Sequence, residues 1–101
     1  MSEKKFIRRL VLDVLKPHEP PLHVLAQEMI GEFEFVDSVN LTVYEIDQKT
    51  QSIKCIIQGQ NLDFDALKVF LEQMNCAIHS IDQVIAGQSI IENIPMPQDH
   101  F

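Results

Sequence analysis

The sequence predicts an α+β domain whose elements run strand-helix-strand-strand-helix-strand, and three observations carry that prediction. An apolar run from Phe6 to Lys16 alternates like a strand and breaks at Pro17-His-Glu-Pro-Pro21. Two segments, Leu22 to Phe33 and Leu67 to Met74, repeat apolar residues at helical spacing. Between and after them lie three further alternating runs of strand length. Two strand-helix-strand halves with right-handed crossovers close into a four-stranded antiparallel sheet with both helices on one face. That architecture is the ferredoxin-like plait, βαββαβ.

The first run sets the frame. Leu10, Leu12 and Val14 fall on one face of an extended strand, and Ile7, Arg9, Val11, Asp13 and Leu15 on the other. Both faces are partly apolar, which suits a strand flanked by neighbours, so this is the expected central strand.

Pro20-Pro21 suits the first turn of a helix, where a missing N–H is no loss. Leu22, Leu25, Ala26, Met29, Ile30 and Phe33 make the expected buried stripe, with Gly31 marking its exit. Val36 to Ile46 follows as a strand, with Val39, Leu41 and Val43 inward and Asn40, Thr42 and Tyr44 outward. The polar stretch Asp47-Gln-Lys-Thr50 turns the chain into Gln51 to Gly59, which makes a hairpin. Asp63 is the expected cap of the second helix, with Leu62 and Leu67 as a hydrophobic staple. Asn75 suits the left-handed position that ends it, and Cys76 to Ala86 is the last strand. Val36-Asp-Ser-Val-Asn40 and Ile78-His-Ser-Ile-Asp82 echo each other after the two helices, which supports the split-repeat topology without proving a duplication.

Composition narrows the function. The chain has 101 residues, 46% of them hydrophobic, and a formal net charge of −7. That size suits one compact domain, residues 1–86, with a C-terminal extension over 87–101. No apolar run approaches the roughly 18 residues that span a bilayer, and Met-Ser-Glu-Lys-Lys is unlike a signal peptide, so no membrane is expected and the cytoplasm is the expected compartment. Two cysteines in apolar settings, Cys55 and Cys76, read as free buried thiols. Five of the eight basic residues lie within the first 16 positions. Arg9 belongs to an interior strand, and Tyr44 is the only aromatic on the outward sheet face, so nucleic acid is not an expected partner.

The sheet face without helices carries the candidate ligand residues Arg9, Asp13, Tyr44, Lys54 and Asp82, beside Val11, Leu15 and Ile56. Soluble monomers usually cover such an amphipathic patch, so another subunit is expected over part of it. Charges placed there need partners, and Arg9, Asp13 and Asp82 read either as a structural ion-pair network or as a ligand site. In the turn, His18 and Glu19 are candidate ligands for a divalent cation, or equally caps for the helix that follows. His23 and His79 have no evident partners. No phosphate-binding glycine loop or nucleophile motif is present.

Gly87 to Gln98 is apolar for a tail, with Ile90, Ile91, Ile94 and Met96, and it is expected to pack on the domain or a neighbour, one possibility being an added edge strand. Asp99-His-Phe101 reads as free.

Arg8-Arg-Leu-Val-Leu-Asp-Val-Leu-Lys-Pro-His-Glu-Pro20, Val39-Asn-Leu-Thr-Val-Tyr-Glu-Ile-Asp47, Asn61-Leu-Asp-Phe64, Ile78-His-Ser-Ile-Asp82 and Ala86-Gly87 resemble a small, largely archaeal family, domain of unknown function 211. The resemblance spans nearly the whole chain. It implies a ferredoxin-like fold assembled into a closed ring of subunits and brings no established activity or catalytic residues. The loop Gly31-Glu-Phe-Glu-Phe35 and the ending His100-Phe101 depart from that pattern.

The leading functional expectation is a non-enzymatic ring that binds a small effector or a divalent cation at its subunit interfaces. An enzyme using Asp13, His18 or Asp82 as acid or base is the alternative. A protein scaffold working through the tail is the third.

Overall fold

The computed structural model describes residues 5–93. Its elements are β1 (Ile7–Pro17), α1 (Leu22–Glu32), β2 (Val36–Ile46), β3 (Thr50–Gly59), α2 (Phe64–Gln73) and β4 (Ala77–Ala86). The strands form one antiparallel sheet in the order β2-β3-β1-β4, so β1 is interior, and the fold is the ferredoxin-like plait. Lys4, Ile94, Met96 and Asp99 to Phe101, which figure in the sequence reading, lie outside the described residues.

Alternation decides which side is covered. Leu10, Leu12 and Val14 of β1 pair with Ile57, Cys55 and Ile53 of β3, and all six are at most 1% exposed beneath the helices. Each large aliphatic side chain buried in this way stabilises the fold by about 1.5–3 kcal/mol. Cys55 and Cys76 are free and buried, and desolvation pushes the Cys55 thiol up to about 12.

The second helix is built as its sequence signals predict. Asp63 accepts the Ala66 N–H at 3.1 Å, and Leu62 and Leu67 are both buried. At the other end Asn75 takes a φ of 63°, which lets Asn75 N–H donate to Glu72 O and Cys76 N–H to Leu71 O, satisfying carbonyls the helix leaves free.

The first helix departs from its reading in three ways. It has no side-chain cap: Pro21 occupies the cap position, and its carbonyl receives Val24 and Leu25. It runs through Gly31 to Glu32, because the chain leaves in extended conformation at Phe33 and needs no left-handed glycine. Only Leu25 and Met29 are buried, while Ile30 is 41% exposed and borders a groove against Val39 of β2. Packed against the sheet on one side only, α1 buries a narrower stripe than its apolar spacing allows.

The bulky Phe33 and Phe35 have a structural purpose. Their rings stack at 4.9 Å, and Phe33 meets Phe70 of α2 edge-on at 5.5 Å, closing the core between the two helices. Gly59 lies against that loop, where a Cβ would stand 1.9 Å from Phe35 O.

Lys16 continues the inward register of Leu10, Leu12 and Val14 and is 0% exposed. Its Nζ donates to Pro17 O at 2.8 Å, His18 O at 3.3 Å and Gln51 Oε1 at 3.3 Å. These bonds tie the end of β1 to the following turn and to the start of β3.

Candidate functional site

Two irregularities in β4 shape the uncovered sheet face. Asp13 pairs with Ser80 and Val14 with Ile78, leaving His79 as an extra residue; Val11 pairs with Gln83 and Leu12 with Ile81, leaving Asp82 extra. Such bulges re-aim side chains locally. Here the second one brings Ser80, Asp82 and Gln83 into bonding reach of residues on the same face.

Asp13, Tyr44, Lys54 and Asp82 sit towards one end of this face. Lys54 is the register partner of Asp13 on β1 and of Thr42 on β2. Tyr44 Oη donates to Asp13 Oδ1 at 2.6 Å, and Lys54 Nζ stands 5.8 Å from the Tyr44 ring centroid. Lys54 in turn forms an ion pair with Asp82, whose other oxygen accepts from Ser80 Oγ at 2.7 Å. The hydrogen bond from Lys54, then that from Ser80, holds the Asp82 carboxyl below the usual carboxylate range, and Asp82 raises Lys54 in return. The bond to Asp13, reinforced by desolvation, raises the Tyr44 phenol. Asp13, Leu15, Tyr44, Ser52 and His79 border a small cavity beside this group.

Arg9 belongs to a second group. It stands four residues from Asp13 on the same strand, roughly 13 Å away at strand rise, too far to bond it. Its Nε donates to Gln58 Oε1 at 2.8 Å and its Nη1 approaches Gln83 Oε1 at 3.4 Å. The outer edge of the guanidinium makes a two-pronged pair with Glu92, at 3.0 and 2.8 Å. That pair raises Arg9 and lowers Glu92, chiefly through the hydrogen bonds themselves. The single network of Arg9, Asp13 and Asp82 therefore resolves into three separate pairings, with Glu92, Tyr44 and Lys54 as the respective partners.

Glu92 is reached because the chain beyond β4 returns over the sheet. Arg8 Nε donates to Gly87 O at 2.7 Å, Gly87 N–H donates to Phe6 O at 2.8 Å, and Gln83 Nε2 donates to Asn93 Oδ1 at 3.2 Å. Residues 87–93 form no strand. No sequence signal singles out Glu92, since its partner lies 83 positions away.

His18 and Glu19 sit in the turn after β1. The His18 Nε2 lies 3.1 Å from both Asp47 O and Gln48 O, so this nitrogen acts as donor to the β2–β3 turn. Glu19 is exposed. Among the described residues, no three or more His, Cys, Asp or Glu side chains gather in a way that could hold a metal ion, and none of the helices is long and apolar enough to cross a membrane.

The geometry defines a class: a small ferredoxin-like plait with one sheet face free of helices and two bonded polar groups on that face. The model of the family domain of unknown function 211, described as an uncharacterized ArCR family, matches residues 8–100. An uncharacterized protein of Methanocaldococcus jannaschii is 50% identical over 93 residues, which is 92% of this chain and 95% of the relative. The chain belongs to this family, as the long motif of β1 and its turn led us to expect.

Proposed function

We propose that the protein is a non-enzymatic homo-oligomer, closed into a ring, that binds a small effector or a divalent cation at its subunit interfaces. The observation that carries this reading is the gathering of Arg9, Asp13, Tyr44, Lys54 and Asp82 on one face that also exposes apolar surface. Leu15 is 43% and Tyr44 55% exposed there, and the half-buried Val11 and Ile56 are register partners in the same region. An amphipathic surface of this kind gains by association, and its polar members supply directional bonds to whatever is enclosed. The turn with His18 and Glu19 is the place we assign to a cation, with exposed Glu19 as the anionic ligand and the imidazole rotating away from the Asp47 and Gln48 carbonyls to join it.

An enzyme using Asp13, His18 or Asp82 draws less support. General acids and bases working near neutrality have carboxyls raised towards that range, whereas Asp82 is lowered by Lys54. Native mass spectrometry of protein purified without chelator tests the leading reading. A ring retaining a small added mass is the expected result, and a bare monomer refutes it.

A further inference from the structure

We propose that Arg9 is the receptor for a small carboxylic acid bearing a second acceptor oxygen, and that residues 87–93 are a built-in strap whose Glu92 occupies the receptor until such a ligand displaces it. The proposal rests on the reading of the free sheet face as a ligand-bearing surface, and it names the chemistry of one end of that face.

The receptor is organised before anything meets it. Gln58, the register partner of Arg9, takes the Nε proton, and Gln83 flanks Nη1. These contacts fix the plane of the guanidinium, and its two outer nitrogens meet the Glu92 oxygens in the fork geometry that matches a carboxylate. The Arg9 side chain is 16% exposed, while that of Glu92 is 68% exposed. A sunken, clamped cation thus faces an anion carried on an exposed, irregular segment.

The strap also shows what a ligand must look like. Its carboxylate takes the Arg9 fork, and one residue on, the Asn93 amide oxygen takes the Gln83 Nε2 proton. Carboxylate and neighbouring acceptor oxygen together satisfy both receptor groups. Ile85, paired opposite Arg9, is 8% exposed although it stands apart from the helix-side core, which fits a residue roofed by the returning chain. The root of the strap is held separately, by Arg8 and by Phe6 O at Gly87. Releasing Glu92 and Asn93 therefore does not require the root to let go. Because the occupant is tethered, its local concentration is on the order of millimolar, and a free acid must compete against that.

The test titrates full-length protein with glutarate, following the side-chain amide resonances of Gln58 and Gln83 by NMR, in the wild type and in Glu92→Gln. Glutarate should bind Glu92→Gln about tenfold more tightly than the wild type, because the tethered competitor is gone. Adding Arg9→Lys, which keeps the charge but loses the fork, should abolish the gain, and inorganic phosphate should show no comparable preference. Equal glutarate affinity in wild type and Glu92→Gln overturns the strap, and binding that survives Arg9→Lys overturns the receptor. Phosphate gaining as much as glutarate overturns the assignment to carboxylates. Native mass spectrometry keeps this separate from the assembly: a monomer with the expected glutarate response leaves the strap standing and removes only the ring.

Discussion

Tyr44 on the edge strand β2 donates a 2.6 Å hydrogen bond to Asp13 on β1, reaching over β3, whose Lys54 carries its ammonium 5.8 Å from the ring. The bond favours the protonated phenol, and desolvation acts in the same direction. The chain holds one tyrosine and no tryptophan, so its ionisation is directly visible in the ultraviolet. Absorbance at alkaline pH should give a native midpoint above the ordinary value of about 10. Asp13→Asn should bring that midpoint down. An unchanged midpoint in the variant means that Asp13 does not hold the phenol.

Stability should fall on acidification. Asp47 is held low by the backbone N–H groups of Thr50 and Lys49, and Asp82 by its bonds from Lys54 and Ser80. A carboxyl whose folded pKa is depressed adds stability above its unfolded value of about 4, and loses it as pH falls through the folded value. Urea midpoints measured from pH 7 downwards should therefore be level to about pH 5 and then decline. Asp47→Ala should lower the midpoint at pH 7, since it undoes the β2–β3 turn, and should make the acid decline shallower. A decline as steep as that of the wild type shows that Asp47 is not one of the linked groups.

The glycines at 31 and 59 should respond in opposite ways to the same added methyl group. A Cβ on Gly31 meets nothing within 4 Å and sits inside α1. Gly31→Ala should stabilise by about 0.5–1 kcal/mol through the lower entropy of its unfolded chain. At Gly59 the new carbon meets backbone that no rotamer change can clear. Gly59→Ala should cost about 2–3 kcal/mol in chemical denaturation as the Phe33–Phe35 loop is pushed away from β3.

Lys16 is the one fully buried cation among the described residues, and it is held by carbonyl oxygens alone. Lys16→Ala removes packed methylenes and leaves those oxygens short of a donor, so it should destabilise by about 3 kcal/mol. Lys16→Met keeps most of the volume and should cost less. Equal losses in the two variants would show that the hydrogen bonds, and not the packing, dominate at this site.

The order of elements, the interior position of β1, the Asp63 cap, the Asn75 turn and the family were all legible in the amino-acid sequence. Each of these follows from signals within a few residues: alternation, caps, a proline-bounded turn or one long continuous motif. The sequence also assigned Arg9, Asp13, Tyr44, Lys54 and Asp82 to one face, because a period of two needs no knowledge of neighbours. Which of these residues bond to one another emerges only from the packing of the strands in three dimensions. The bulges at His79 and Asp82 arise from how β4 must register against β1, and Glu92 meets Arg9 across 83 positions of chain. The alternation of β1 points Lys16 inward with Leu10, Leu12 and Val14, but the oxygens that hold it there come from the following turn and from β3. Local pattern fixes which way a side chain points, whereas its partner depends on where distant strands and a returning terminus come to rest.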